Sequence, residues 1–376
     1  MRIAIIADVL GEENNGTSIT VKRLIKYLKQ RGHDVLVVSA GTSEEEGYYS
    51  VDRIDFKMFN NYVRKNGVVL AKPNEKLLRD VISQCDVVHI LMPFSLGRAA
   101  IRICQELKKP TTTAFHVQPE NVSSHFCLQK SGPINNYIYK NFRKGFYDFA
   151  EYIHCPTEFI ANELRLRGYK QDLRVISNGV DPAFVPGYAD KPKEYADKFC
   201  ILSTGRLVKE KSHTELLKAI AKSKYSDKIQ LFIAGDGPCK SKLEKLGKKL
   251  PNPPVISFHP KEELVGIIHF CDLYVHTAYA EIESIACVEA ITCGLVPIIA
   301  NSKKSAARFF AQYPSNLYKS GNPSELARKI DFMIEHPEIR QKQRDEYIKY
   351  AERFRIDLCI DKMVEMFEDA IEGKHR

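Results

Sequence analysis

Short apolar runs of strand length alternate with helix-patterned segments along nearly the whole chain, and this alternation most limits what the chain can fold into. The first run, Arg2–Ala7, leads through a polar loop from Gly11 to Thr17 into a helical pattern over Ile19–Gln30, with apolar positions Val21, Leu24, Ile25 and Leu28. Gly32 closes that helix and Asp34–Ser39 supplies the next β-branched run, so the opening reads as a βαβ unit, the building block of parallel sheets. Asp86–Leu91 and Pro110–Phe115 predict further buried strands around a helix over Arg98–Lys108, and Tyr152–Cys155 and Leu173–Ile176 continue the series. After Asn178-Gly179-Val180-Asp181-Pro182 the pattern loosens into a polar, lysine-rich stretch, read as a linker, and then restarts. The second series predicts strands Phe199–Thr204, Gln230–Ala234, Val255–Phe258, Leu273–His276 and Val296–Ala300. Helices near Glu215–Ser223, Lys240–Lys248, Glu262–Phe270 and Ser284–Thr292 separate them. Ser324–Glu335, with Ser324 placed to cap it, and Arg340–Glu372 read as helical throughout.

A chain of 376 residues exceeds one ordinary core, so the two series are expected to be two α/β, doubly wound, Rossmann-like domains. The expected division is 1–182, a linker at 183–198, a second domain at 199–352, and a C-terminal helix at 353–376 that returns to the first domain. Ligands of such sheets bind at the carboxyl ends of the strands, and the expectation is a cleft where the two sets of ends face each other.

Hydrophobic content of 44% and charged content of 27% are those of a globular protein. Only Arg2 precedes the first apolar run, which ends at Asp8 and is too short for a secretory signal, and no run approaches the roughly 20 residues of a membrane span. Ten cysteines without a C-x-x-C pair argue against a disulfide scaffold or a zinc site and fit a reducing cytoplasm. The net charge of +9 suits an anionic membrane surface or a phosphate-bearing substrate. No nucleic-acid-binding motif accompanies it, so no nucleic-acid partner is expected.

Among the motifs, Glu281 and Glu289 bracket Ile282, Glu283, Ser284, Ile285, Ala286, Cys287 and Val288, and a Gly-Leu-Val-Pro turn follows at Gly294–Pro297. Two glutamates on a helix usually mark a solvated face. Here the first ends a loop after a strand and the second lies on the following helix, so both can face a ligand over the helix N-terminus. The backbone N–H groups of Ser284, Ile285 and Ala286 would then meet an anion. Gly205-Arg206-Leu207-Val208-Lys209-Glu210-Lys211 follows the first strand of the second series, and Gly235-Asp236-Gly237-Pro238 follows the next. These are an ordinary basic turn and a tight turn unless the glutamates share their site. In the first half, Asn14-Asn15-Gly16-Thr17 follows the first strand and lacks the G-x-G-x-x-G of a dinucleotide site, and His116 ends another strand.

This constellation resembles the retaining glycosyltransferases of the GT-B fold, in the family defined by a Glu-x7-Glu motif, and the resemblance runs nearly end to end. It implies that Glu281 contacts the donor sugar, that Glu289 binds the ribose hydroxyls, and that Arg206 and Lys211 bracket the diphosphate as negative charge grows on it. It implies that Gly16 and Thr17 approach the donor, that Gly205 and Gly235 lie near the nucleotide, and that the nucleobase meets the Phe258-His259-Pro260 stretch, largely through backbone. His116 would hydrogen-bond the donor sugar rather than act as a nucleophile. Glu283-Ser284 stands where the family usually has Phe-Gly. No D-x-D motif occurs, which implies a metal-independent reaction with no cofactor besides the UDP-sugar co-substrate, by front-face displacement.

Two aromatic and basic stretches, Phe56 to Lys65 and Tyr137 to Tyr147 with Lys140, Arg143 and Lys144, suit either a lipid interface or a buried helix with a solvated rim. Gly16-Thr17-Ser18, Glu44 to Tyr49, Ala71-Lys72-Pro73, Phe115 to Glu120 and Ala300-Asn301-Ser302 are similar to bacterial cholesterol α-glucosyltransferases and related lipid glycosyltransferases. That similarity implies transfer of glucose from UDP-glucose to a membrane lipid, with peripheral association on the inner face of the membrane. Sterol, diacylglycerol and ceramide stay open as acceptors. The alternatives are a glycosyltransferase for capsular or lipid-linked polysaccharide, and a GT-B-fold sugar-nucleotide epimerase or non-catalytic binder.

Overall fold

The computed structural model describes residues 1–10, 16–41, 45–55, 70–124, 128 and 131–374. Its contacts divide into two compact units, Met1–Asn178 with Asp357–Arg376, and Gly179–Ile356.

The first unit runs β1 (Arg2–Val9), α1 (Gly16–Gln30), β2 (Asp34–Ala40), β3 (Tyr48–Val51), α2 (Glu75–Ser83), β4 (Val87–Ile90), α3 (Ser95–Glu106), β5 (Thr111–Ala114), α4 (Pro119–Ser124), α5 (Gly132–Gly145), β6 (Tyr152–Cys155), α6 (Glu158–Leu166) and β7 (Asp172–Val175). The strands form one parallel sheet in the order β3-β2-β1-β4-β5-β6-β7. Ile3, Ala4, Ile5 and Ile6 are all buried, as a strand covered on both faces requires, and Val21, Leu24, Ile25 and Leu28 form the buried stripe of α1. β5 is buried although it begins with three threonines. The hydroxyl of Thr112 pairs with Nδ1 of His89 at 2.8 Å, and Thr113 donates to the carbonyl of Tyr152 at 3.1 Å, so the strand's polar atoms are satisfied internally.

The C-terminal helix Ile356–Glu372 belongs to this unit from Asp357 onward. Ile360, Met363, Met366, Phe367 and Ala370 are buried at helical spacing, and the ring of Phe367 meets the edge of His89 with centroids 5.3 Å apart. Each large apolar side chain buried this way contributes about 2 kcal/mol. Asp369 accepts from Arg174 at 2.7 Å, its carbonyl accepts from Tyr152 Oη at 3.1 Å, and Asp361 pairs with Arg31 at 2.5 Å.

The second unit contains β8 (Phe199–Thr204), α7 (His213–Ile220), β9 (Ile229–Ala234), α8 (Lys240–Gly247), β10 (Val255–Ser257), α9 (Lys261–Phe270), β11 (Leu273–His276), β12 (Ala280–Glu281), α10 (Ile285–Thr292), β13 (Pro297–Asn301), β14 (Lys304–Ser305), β15 (Leu317–Lys319), α11 (Pro323–Glu335) and α12 (Pro337–Ala351). Its main sheet is parallel with order β10-β9-β8-β11-β13-β15, and β12 pairs separately with β14. Residues 183–198 pack on this unit: Phe184 is buried, and Lys191 pairs with Asp272 at 2.6 Å.

Two expectations about the helices change. Asn322, not Ser324, caps α11: its side chain accepts from Glu325 N at 3.1 Å, and Pro323 fills the first turn, where a missing N–H costs nothing. The expected continuous helix over Arg340–Glu372 is broken after Glu352–Phe354, because Arg355 takes an extended ψ of 131°.

The direction of each chain across its sheet reverses at one place, between β1 and β4 in the first unit and between β8 and β11 in the second. Loops leaving the carboxyl ends of these strand pairs diverge and leave room for a ligand.

Asp369→Ala should lower the stability of the first unit by about 2 kcal/mol, since it removes a charge-assisted hydrogen bond while Asp172 still neutralises Arg174. Denaturant unfolding followed through tyrosine fluorescence measures it.

Candidate functional site

In the second unit the loops after β8 and β11 meet at the point where the sheet reverses. The backbone N–H of Tyr279 donates to Glu210 O at 2.8 Å, and the Thr277 hydroxyl donates to Lys211 O at 2.7 Å. The Ser302 hydroxyl donates to Tyr279 O at 2.6 Å, and β14 holds Ala280 and Glu281 by parallel pairing with Lys304 and Ser305. With both backbones pinned, the Lys211 ammonium forms an ion pair with Glu281 Oε1. Only 17% of the lysine side chain and 12% of the glutamate side chain remain exposed, so water screens the pair little.

A row of polar side chains reaches Glu281 from beneath. Thr204 Oγ1 lies 3.0 Å from Tyr274 Oη, which lies 3.3 Å from His276 Nδ1. On its other side His276 Nε2 is 3.3 Å from Glu281 Oε1 and 3.1 Å from Ser284 Oγ. If Tyr274 donates to Nδ1, the ring proton sits on Nε2 and points at Glu281. Burial would push the Glu281 carboxyl up, but the Lys211 ammonium and then His276 outweigh it and hold the group down at about 2.

Glycine is demanded at two places here. Gly205 has φ +138°, and the aliphatic end of Lys211 passes over the bare face of that residue, 3.5 Å from where a Cβ would stand. At Gly235 a Cβ would lie 2.0 Å from the carbonyl oxygen of Gly205, so this glycine serves the packing of one loop on the other. Leu207 N donates to Asp236 O at 2.8 Å across the same contact.

Ser284, the N-cap of α10, has φ 72° and ψ 69°, the left-handed region that glycine fills at little cost. The serine keeps this conformation while bonded to His276. The intrahelical bond Val288 N to Ser284 O opens α10, so the N–H groups of Ile285 and Ala286 lie in the first turn, where no intrahelical acceptor exists. Glu283 is buried and Glu289 half-buried on the same helix entry. Arg206 is half-exposed, 3.6 Å from Glu210. Both ring nitrogens of His259 are occupied, by Ser257 at 2.7 Å and Glu263 at 3.2 Å, which leaves its backbone rather than its ring for a ligand; Phe258 beside it is exposed.

The structure thus brings Gly205, Lys211, Gly235, Glu281 and Ser284 into contact or near-contact, with Arg206 on the same loop. His276 and Tyr274 were read from sequence only as strand residues. The available signal was an imidazole ending a buried parallel strand.

In the first unit, Gly16 opens α1 and Thr17 follows half-buried. His116 lies just beyond β5 with its ring edge-on to His154, centroids 5.4 Å apart. Burial and the neighbouring His154 push its imidazole down to about 3, so it is neutral at pH 7. On α5, Tyr139 and Phe142 face inward, while Lys140 and Lys144 are exposed. Arg143 bends toward the protein, donating to the carbonyls of Arg167 at 2.7 Å and Gly168 at 3.1 Å, so it ties α5 to the end of α6 and leaves 25% of its side chain exposed. Asn14, Asn15, Glu44 and the stretch from Phe56 to Lys65 lie outside the described residues.

Because the Glu281 carboxyl is depressed on folding, its stabilising contribution is fully present above about pH 4.5 and is lost as pH falls toward about 2. The amount is roughly 3 kcal/mol. Thermal melts of wild type and Glu281→Gln across that window should converge as the pH drops, and a constant difference between them contradicts the assignment.

Residues 14–184 match the family model Glycosyltransferase Family 4, and residues 187–354 match Glycosyl transferases group 1. Among curated relatives, an alpha-monoglucosyldiacylglycerol synthase of Streptococcus pneumoniae is 25% identical over 80% of this chain and 71% of its own length. A GDP-mannose-dependent alpha-mannosyltransferase of Corynebacterium glutamicum is 28% identical over 80% of this chain and 72% of its own. Anabaena Alr3699/HepE, solved in complex with UDP-glucose, superposes with a TM-score of 0.75 at 16% identity, covering 98% of this chain and 100% of that one. Two parallel-sheet, Rossmann-like units in one chain, carrying these two family domains in this order, place the protein among the GT-B glycosyltransferases of the family 4 and group 1 type.

Proposed function

We propose that this glycosyltransferase moves a hexose, glucose from UDP-glucose, onto a hydroxyl of a membrane lipid with retention of the α configuration. The observation that carries the donor half is the buried Lys211–Glu281 pair at the reversal point of the second sheet. In the reaction the acceptor O–H bond breaks, a new bond joins that oxygen to the sugar C1, and the bond from C1 to the diphosphate oxygen breaks. The acceptor proton leaves on the departing phosphate. Lys211, with Arg206 on the same loop, meets the negative charge that grows on the leaving group, and the N–H groups at the start of α10 add a fixed dipole. Glu281 orients both Lys211 and the sugar hydroxyls, and Glu289 takes the ribose. A lysine already held by a carboxylate needs little reorganisation as the charge develops.

The lipid half is supported by the relative named alpha-monoglucosyldiacylglycerol synthase and by the exposed cations Lys140 and Lys144 on α5, next to the exposed ring of Tyr137. No helix among the described residues is long and apolar enough to cross a membrane, and the proposal is peripheral contact with the inner face of an anionic bilayer.

Purified protein should be offered UDP-glucose, UDP-galactose and GDP-mannose against vesicles carrying diacylglycerol, ceramide or cholesterol, and against lipid-linked oligosaccharide. Mass spectrometry reads the product and NMR its anomer. An α-glucosyl lipid is expected. Transfer to saccharide alone overturns the lipid assignment, and epimer formation or binding without turnover overturns transfer itself. Lys211→Ala and Glu281→Ala, checked for folding by circular dichroism, should each lower kcat about 100-fold, roughly 2.7 kcal/mol of barrier. Reversing Lys140 and Lys144 to Glu together should weaken binding to anionic vesicles more than tenfold, at about 1 kcal/mol per cation, while leaving UDP binding unchanged.

A further inference from the structure

Asp8 stands at the carboxyl end of β1, beside the place where the first sheet reverses between β1 and β4. The register of β1 against β2 slips there: Ala7 pairs with Ser39 and Val9 with Ala40, which makes Asp8 the extra residue of a bulge. Bulges re-aim a side chain and cluster beside functional sites. The carboxyl is buried, with 5% of the residue exposed. Its Oδ1 accepts from the backbone N–H of Ala71 at 3.0 Å, and among the described residues it makes no ion pair and no second hydrogen bond. The Ala71 carbonyl in turn accepts from the Ser95 hydroxyl at 3.0 Å, which anchors this peptide to the first turn of α3 after β4. The carboxyl is therefore tied through Ala71 to the start of α3, at the reversal point of the sheet.

Such a group is expensive. Burial raises its carboxyl to about 7, against the weaker opposing pull of the Ala71 N–H, and an apolar residue would cost the fold less. A buried acid kept without a cation, with one oxygen still lacking a donor, at the ligand-binding edge of a parallel sheet, is suited to receive a donor from a substrate. The reaction proposed above requires a donor of that kind, the hydroxyl that becomes glycosylated.

We infer that Asp8 is an acceptor-binding residue whose unpaired carboxyl oxygen takes a hydrogen bond from the acceptor's reacting hydroxyl as the acceptor docks, before that proton turns to the departing phosphate. The inference rests on the glycosyl-transfer reading, but it names an alcohol and not a lipid.

The test compares the full-length wild type with Asp8→Asn and Asp8→Ala, using whichever acceptor the wild type glycosylates. Both variants should raise the KM for the acceptor at least tenfold, Asp8→Ala more than Asp8→Asn, while the dissociation constant for UDP and the melting cooperativity stay as in wild type. A wild-type acceptor KM in either variant overturns the inference. So does a parallel loss of UDP binding, which would make Asp8 a structural residue. If the wild type glycosylates a saccharide and no lipid, the lipid assignment fails while Asp8 is still tested on the saccharide hydroxyl. If it glycosylates nothing, both readings fall together.

Discussion

The pairing of Lys211 with Glu281 is the contact around which the second unit's functional edge is built. Two charges taken largely out of water are costly, and their attraction repays that only when geometry is tight and the remaining lone pairs are satisfied. The surrounding structure supplies both conditions. Parallel pairing with Lys304 and Ser305 fixes the Glu281 backbone, hydrogen bonds to Glu210 and Lys211 lock the adjoining loops, and His276 stands behind the carboxylate. Remove any of these and one charge would be left without a rigid partner in a poorly solvated place.

The Thr204, Tyr274 and His276 row gives the pair an orientation as well as a position. His276 meets Tyr274 at one ring nitrogen and both Glu281 and Ser284 at the other, so a Tyr274 hydroxyl that donates to Nδ1 would put the ring proton on the carboxylate side. Ser284 is held by the same imidazole, which couples the carboxylate to the entry of α10. A left-handed serine costs of order 1 kcal/mol relative to glycine, and that strain is retained where it sets the start of α10.

Much of this was legible in the chain itself. Tyr152–Cys155, Phe199–Thr204 and Leu273–His276 emerge residue for residue, because a strand buried on both faces is a continuous run of apolar and β-branched residues bounded by turn formers. The short strand Tyr48–Val51, at the sheet edge and only partly buried, has no such run to announce it. The spacing of Glu281 and Glu289 singled out the loop that runs into α10, and the oddity of Glu283-Ser284 was visible as a departure. That Ser284 takes the glycine conformation by bonding His276 was not, since no local pattern reports a side-chain contact. Likewise Lys211 and Glu281 are 70 residues apart and meet only because β8 and β11 are neighbours. The inward turn of Arg143 was hidden for a related reason: a basic residue on an amphipathic helix looks the same in sequence whether it faces lipid or two orphan carbonyls at the end of α6.

The return of the C-terminal helix to the first unit sets an order on how the molecule is made. The second unit is one uninterrupted stretch, Gly179–Ile356, whereas the first needs Asp357–Arg376 to cover His89 and to give Arg174 its second carboxylate. On the ribosome, synthesis proceeds from the N-terminus at about 5–20 residues per second. The first sheet therefore emerges first and waits longest, with an uncovered apolar face, until the rest of the chain has followed. The unit begun first is finished last, and a nascent chain stalled before Asp357 would expose that face to chaperones and to its neighbours.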